Sequence, residues 1–376
     1  MRAKPSQRMY SSVYMALVQL LPQEVDSRLT NMTFLMIGIF GAHSVQTGKL
    51  AASIPLHIKK LSIVRRMERF LDNSAVRVRS WYEPIARWLI QAASVTGEIA
   101  LVWDSTKVSA HHRLVLVGIA YRQRVIPVAW TWVRTSRGHC STQLQIALLS
   151  YVRSLLPADA HISLVGDCEF GHMPLVTTLQ DWQWDYVLRQ SGHQLVDVAS
   201  EPDWLRLDAL IQRGQWCFLN DVHLTATHQV QTHLLLAWER RYPTPWLLAT
   251  NLVSPRLILR LYHRRMWIEE TYGDLKDNGF DLERSALEHF LRLSRLTLAV
   301  VLLYVWFLAF GAELIQHGLR TEVDRADRRD LSLFRIAWDS LQRALLFDLP
   351  YSISFVPFFG ALPDFHPCGW CSIRIP

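Results

Sequence analysis

The spacing of apolar and polar positions changes twice along the chain and divides it into regions of different texture. In residues 10–95 apolar side chains recur at helical spacing, most plainly in 13–21, 32–40 and 63–71, which predicts a helical region. Within it, residues 44–52 supply the short turn and second helix of a helix-turn-helix arrangement. From Glu98 the texture becomes short apolar runs rich in Val and Ile. Residues 99–104, 113–121 and 125–133 read as strands, 141–156 as a helix, 162–167 as a strand, 175–182 as a helix and 185–190 as a strand. Short strand candidates follow at 216–219, 222–227, 232–238 and 246–252 with no helical stretch between them. Helical spacing returns in 254–279, 285–317 and 331–346, and the segment from Pro350 to the end is rich in Pro and aromatic residues.

Three strands followed by alternating helix and strand is the order of a ribonuclease H-like core, an α/β fold built on a mixed sheet. Other α/β folds share that order. The expected organisation is a basic helical region at 1–95, a ribonuclease H-like core at 96–191 and 253–285 interrupted by an all-β insertion at 192–252, and a C-terminal helical region with a tail at 286–376.

Composition narrows the function classes. Half of the 376 residues are apolar and 15 are Trp, which describes a globular chain with a sizeable core. The net charge of +7 is unevenly spread. Residues 1–95 hold 13 Lys and Arg against 5 Asp and Glu, so the whole excess lies in the first quarter. A polyanion-binding module ahead of a near-neutral body is the expected meaning, with an anionic membrane surface as the competing partner. Lys59, Lys60, Arg65, Arg66 and Arg69 cluster there and are the DNA-binding candidates of this region. The five Cys are too few and too scattered for a disulfide framework, and Cys368-Gly-Trp-Cys371 is a half-site with no second pair. The first 22 residues are basic, but their apolar run is short and interrupted, unlike a secretory signal. Residues 296–315 are long and apolar enough to raise a membrane question, with Glu313 their only charge; a buried core helix is the expectation, with no membrane partner.

The richest stretch is 254–279, read as one amphipathic helix opened by Ser254-Pro255 and closed by Asn278-Gly279. With Tyr262 at zero and about 100° per residue, Arg265 falls near 300°, Glu269 near 340° and Lys276 near 320°. Leu257, Leu261, Ile268 and Leu275 share a neighbouring stripe at about 220–260°. The helix would thus be pinned by one stripe and present four polar groups on the next.

Two upstream carboxylates complete the pattern. Asp104 and Asp167 each end a hydrophobic run, Ile99-Ala-Leu-Val-Trp-Asp104 and Ile162-Ser-Leu-Val-Gly-Asp167. A lone Asp at a strand end more often caps a turn. Three carboxylates gathered together repel one another by several kcal/mol unless divalent cations neutralise them, and hard oxygen ligands suit Mg²⁺ or Mn²⁺. The chemistry that uses such an arrangement is in-line displacement at phosphorus, with two metal ions serving the attacking and leaving oxygens. Asp104 would bridge both ions, Asp167 hold one and Glu269 the other. Arg265 and Lys276 suit phosphate, as a planar fork and a point charge, and Tyr262 could hydrogen-bond either phosphate or carboxylate.

The spacing Tyr262-x2-Arg265-x3-Glu269-x6-Lys276, together with Asp104 and Asp167, resembles the signature of bacterial insertion-sequence transposases of the DDE type, the Tyr-Arg-Glu-Lys group. The resemblance covers most of 98–280. Its aromatic next to the Arg corresponds here to Trp267, displaced by one place, and its spacing selects Glu269 over the adjacent Glu270. Cys168 and Glu169 depart from the small or basic residues usual after the second Asp. The resemblance implies a metal-dependent polynucleotidyl transferase with two Mg²⁺ or Mn²⁺ ions per active site. It further implies cut-and-paste cleavage at element ends and strand transfer by the 3′-hydroxyl. Double-stranded DNA, as terminal inverted repeats and target, would be the partner of a homodimer in the bacterial cytoplasm at the nucleoid. The family also carries a β insertion, where Trp238 or Trp246 could stack on a displaced base. The alternative is a catalytically idle, transposase-derived DNA-binding protein.

Overall fold

Val, Leu and Ile make residues 99–107 a strand buried on both faces for its first half, and the neighbouring strands are arranged around it. In the computed structural model, which describes residues 5–134, 140–198, 202–227 and 229–362, this strand is β1 (Ile99–Lys107). β2 (His112–Tyr121) and β3 (Arg124–Arg134) follow as an antiparallel meander. β4 (Ile162–Gly166) and β5 (Asp185–Arg189) are short, apolar and parallel to β1. The order β3-β2-β1-β4-β5, with three antiparallel strands and then two parallel ones, is the ribonuclease H-like sheet expected from the sequence.

The sheet does not stop there. β10 (Trp246–Thr250) pairs antiparallel with β5, and β9 (Val230–Ala237), β8 (Trp216–Leu224), β6 (Leu195–Asp197) and β7 (Leu205–Arg206) continue outward to make ten strands. The strands of 192–252 are therefore an extension of the core sheet at its β5 edge. They meet the core through main-chain pairing, so that edge is covered rather than left as an open template.

Before the sheet lie α1 (Pro5–Leu20), α2 (Asp26–Ala42), α3 (Thr47–Ser53), α4 (Lys60–Asp72) and α5 (Val78–Ser94). The turn between α2 and α3 occupies the place expected of the helix-turn-helix, but α3 has only seven residues. Within the sheet region are α6 (Thr142–Leu155) and α7 (Met173–Asp181), and α10 (Phe290–Gln316) and α11 (Leu333–Phe347) come last. Cys368 and Cys371 lie outside the described residues. The 27-residue α10 is the apolar segment that raised the membrane question, and 94% of its most apolar window is buried inside the protein. It packs on α2, α4, α5, α11 and β3. Phe280, Phe307, Phe334 and Trp338 meet ring to ring, with centroids 5.2–6.1 Å apart.

The stretch 254–279 differs from the single straight helix predicted. It forms α8 (Pro255–His263), one tight 3₁₀ turn at Arg264–Met266, and α9 (Trp267–Leu275). Ser254 caps α8, its side chain accepting from the Leu257 amide, with Pro255 in the first turn. The far end is not the predicted Asn278-Gly279 cap. Lys276 already leaves helical geometry, and its amide reaches both Tyr272 and Gly273 carbonyls. Gly279 is required for another reason. A Cβ there would lie 2.2 Å from the Asp274 carbonyl oxygen and 2.8 Å from the Phe334 ring. The glycine lets the chain leaving α9 pass against its own last turn and the aromatic core.

α9 is fastened to β3 by buried polar contacts. The Thr271 hydroxyl accepts from the Val125 amide at 2.7 Å and from the Tyr304 hydroxyl of α10 at 3.1 Å. Arg124 and Asp274 form an ion pair at 2.5 Å with both side chains under a tenth exposed. Breaking such a pair leaves an uncompensated charge in the interior.

Gly279→Ala should lower stability by about 1–3 kcal/mol, the usual effect of overpacking. Gly48→Ala, where nothing lies within 4 Å of the added carbon, should leave it unchanged or raise it by up to about 1 kcal/mol through helix propensity. Thermal and urea unfolding of the two variants beside the wild type measure the difference.

Candidate active site

The parallel register of β1 and β4 decides the meeting of the two aspartates. Trp103 is paired with Gly166, so Asp104 and Asp167 occupy the next step on adjacent strands, whose spacing is about 4.8 Å. β1 continues past Asp104 to Lys107, paired with β2, so Asp104 lies within the strand rather than at its end. Asp167 stands just past β4, ahead of a 3₁₀ turn at Cys168–Phe170. α9 brings Glu269 over the same edge, and the three carboxylates line one cavity of about 520 Å³ with Ser105, Arg113, Cys168, Glu169, Arg265, Tyr272 and Lys276.

Arg265 is the centre of this arrangement. Its guanidinium reaches Asp104 Oδ2 at 3.2 Å through Nη1 and Glu269 Oε1 at 2.9 Å through Nη2. The residue is 7% exposed. Burial opposes its charge, but Tyr262, Asp104, Asp167 and Glu269 more than offset that, and its pKa rises above the ordinary arginine value. Asp104 shows the same conflict from the other side. Burial pushes its carboxyl up to about 7, against the pull of Arg265 and of the Ser105 amide, which donates to Oδ1 at 2.7 Å. The Tyr272 hydroxyl donates to the Asp104 carbonyl oxygen at 2.7 Å, fixing the strand from the α9 side. Asp167 is more open, with Arg189 of β5 3.7 Å away.

Not every residue singled out in the sequence reaches this cavity. Tyr262 is 1% exposed, its ring 5.1 Å from Trp246 in an edge-on contact, and its hydroxyl has no hydrogen-bond partner among the described residues. Its ring packs against the Arg265 guanidinium, 5.8 Å away, and is not part of the cavity lining. Trp267 is half-buried against the core. Trp246 also meets His263 at 5.0 Å, and Trp238 Nε1 donates to the Tyr242 carbonyl, so Trp246 packs on α8 and Trp238 is engaged within the extension. Lys276, off the helix, borders the cavity with its ammonium on the Lys107 carbonyl at 2.6 Å and on Glu283 at 2.6 Å. Glu270 points elsewhere, 3.6 Å from Arg124.

The basic cluster lies away from the cavity on α4 and just before it. Lys59, Lys60, Arg65 and Arg69 are exposed. Arg66 is committed to packing: its Nε donates to Asn31 at 2.7 Å and its guanidinium sits over the Phe34 ring.

Sequence reasoning missed the charged groups that lie beneath the three carboxylates. Glu169, 7% exposed, accepts from Ser105 at 2.5 Å, from the Cys140 amide at 2.9 Å and from Arg113 at 3.3 Å. It joins β1, β2 and the start of α6 at the floor of the cavity. Only its position two residues past Asp167 hinted at this role. Arg113 gave no signal, because its place opposite Lys107 exists only through the β1–β2 register.

Among the described residues no three of His, Cys, Asp and Glu stand close enough to form a ready-made metal cluster. The donor set nonetheless fits a divalent cation. Three carboxylates facing one cavity are hard oxygen ligands.

A ribonuclease H-like sheet with an acidic cavity over adjacent parallel strands defines a class of nucleic-acid-processing proteins. Within it, the chain belongs to the family of transposase DDE domains, whose model matches residues 97–306, more than half its length. It thus carries the domain of DNA transposition, in a family whose members generally use divalent metal ions. Among solved structures it is similar to a piggyBac transposase in a synaptic complex with hairpin DNA, at 9% identity and a TM-score of 0.41 over 96% of this chain and 85% of the other. No curated protein matches its sequence.

Because the folded-state pKa of Asp104 is raised from 3.8 to about 7, between those values the native state holds a proton that the unfolded chain releases. Stability from this group is full below about pH 4 and is lost as pH rises through 7. Without divalent metal, Asp104→Asn should therefore melt several degrees above wild type at pH 8, with the gap closing toward pH 4. Adding Mg²⁺ or Mn²⁺ should raise the wild type at pH 8 and leave the variant nearly unmoved. Scanning calorimetry across pH reads both.

Proposed function

We propose that this chain is a cut-and-paste DNA transposase of the Tyr-Arg-Glu-Lys insertion-sequence group. In this reading it cleaves at the element's ends and joins the freed 3′-hydroxyl to target DNA. The observation that carries the reading is the convergence of Asp104, Asp167 and Glu269, from three separate elements, on one cavity that also holds Arg113, Arg265 and Lys276. Asp104, Asp167 and Glu269 would hold two Mg²⁺ or Mn²⁺ ions. When bound, such ions activate the attacking oxygen and stabilise the leaving one.

The chain's own residues supply positioning and charge. Asp104 is held at main chain and side chain by Tyr272, Ser105 and Arg265, so its carboxylate is fixed before substrate arrives. Arg265 neutralises Asp104 and Glu269 together. A phosphate entering the cavity competes for the same planar fork. Lys276, tied to Lys107 and Glu283 at the border of the cavity, offers a point charge to a neighbouring phosphate. Tyr262 and Trp246 brace the 3₁₀ turn that carries Arg265.

Two copies acting on paired ends, a bacterial insertion-sequence origin and a place in the cytoplasm at the nucleoid belong to the same proposal. The group's signature at Tyr262, Arg265, Glu269 and Lys276 supports it.

The test is Mg²⁺-dependent nicking and strand transfer on a duplex carrying the inverted repeat that flanks the gene. Single changes of Asp104, Asp167 or Glu269 to Ala should each reduce cleavage by about 10³-fold or more, the scale of several kcal/mol of transition-state stabilisation. Glu270→Ala should cleave within about threefold of wild type, well under 1 kcal/mol. Cleavage that survives removal of any one of the three carboxylates in a folded variant refutes the assignment.

A further inference from the structure

A second cavity, of about 550 Å³, opens where α3 and the first turn of α4 face the segment that follows α9. Lys49 and Lys60 line it from the helical region and Arg284 from the other side, with Thr47, Gly48 and Ser285 between them. No Asp or Glu lines it among the described residues. All three cations are exposed. Gly48 adds no side chain to the wall, and even a Cβ there would meet nothing within 4 Å.

The two sides are fixed to each other. The Ser44 hydroxyl donates to Asp281 Oδ2 at 3.1 Å, bridging residues 237 apart in sequence. The other oxygen of Asp281 lies 3.4 Å from Arg284 Nε, which orients the guanidinium while leaving it 66% exposed. Asp281 and Ala286, flanking this turn, both sit in the left-handed region at φ 58° and 53°. Such conformations persist in side-chain-bearing residues only where surroundings impose them.

The same segment borders the catalytic cavity. Lys276 lines that cavity and pairs with Glu283, next to Arg284. Lys276 and Arg284 thus belong to one short segment that borders both cavities. Exposed, convergent cations without a buried donor suit a polyanion bound through counterion release better than a single small anion.

We propose that this cavity seats the phosphodiester backbone of double-stranded DNA, clamping it jointly by Lys49, Lys60 and Arg284. The proposal rests on the reading of the chain as a DNA-processing enzyme. It adds Lys49 and Arg284 to the cations that the sequence pattern marks, and makes the seat a property of two regions of the chain together.

The test uses the full chain and a fluorescein-labelled duplex of arbitrary sequence, with anisotropy followed across a KCl series. The triple variant Lys49→Ala, Lys60→Ala, Arg284→Ala should bind at least tenfold more weakly at moderate salt. Its slope of log K against log salt should be shallower by about 2–3, near 0.9 for each phosphate no longer neutralised. Lys49→Arg, Lys60→Arg and Arg284→Lys together should keep the wild-type slope. Circular dichroism confirms that each variant is folded; if the alanine triple does not fold, the single variants are read instead, each expected to flatten the slope by about 1. An unchanged slope in folded variants overturns the seat, as does a weakening no larger than that from removing three exposed arginines lining neither cavity. Binding of the duplex by wild type with no effect of these changes refutes the seat alone. Failure of wild type to bind any duplex removes both the seat and the transposase reading.

Discussion

One guanidinium sets the terms for the rest of the site. Arg265 stands between Asp104 and Glu269, buried to 7% exposure, and is the positive charge that lets two carboxylates face the same cavity. A buried arginine is stable only when its partners are held in place. Much of the surrounding structure meets that condition. Tyr272 fixes the Asp104 main chain, the 3₁₀ turn tightens the helix where Arg265 emerges, and Trp246 and Tyr262 pack behind it. Any species that takes over the carboxylates must compete with this guanidinium. In the proposed reading, occupation of the site by metal and by phosphate would be coupled through this one side chain.

The wall that carries Glu269 is held from the opposite side. Arg124 with Asp274, and Thr271 with Val125 and Tyr304, fasten α9 to β3 and α10. α10 is anchored in turn by the aromatic cluster of Phe280, Phe307, Phe334 and Trp338. The apolar length that makes this helix look fit for a bilayer serves here to fill the interior beneath the site. It lets a single long helix pack on both the basic helical region and the sheet.

Much of the fold can be read from the chain in order, because strand and helix periodicity are local. The runs at 99–104 and 162–167 are visible as strands, and the Ser254-Pro255 cap is visible as a helix start. The candidate carboxylates are legible for the same reason, standing at the ends of conspicuous apolar runs. Legibility fails where three dimensions intervene. The wheel drawn through Tyr262, Arg265, Glu269 and Lys276 assumes one unbroken helix, whereas Tyr262 is buried against Arg265 and Lys276 lies past the helix end. Arg113 is invisible because its importance comes from strand register, and Glu169 is hinted at only by its place two residues past Asp167. Gly279 reads as a left-handed cap, but its real constraint is the approach of the Asp274 carbonyl and the Phe334 ring.

The sequence by itself determined the order of the elements, the basic character of the first quarter, and the kind of chemistry three carboxylates and two cations can perform. Those properties depend on residue type and short-range spacing. Tertiary structure alone decided that β10 joins β5 and makes one continuous sheet, that Asp104 and Asp167 become neighbours through the Trp103–Gly166 register, and that Arg265 faces carboxylates at close range. Each of those outcomes depends on pairing between segments tens to hundreds of residues apart. No local pattern encodes that pairing, and the energy that selects it is released only when the whole core closes.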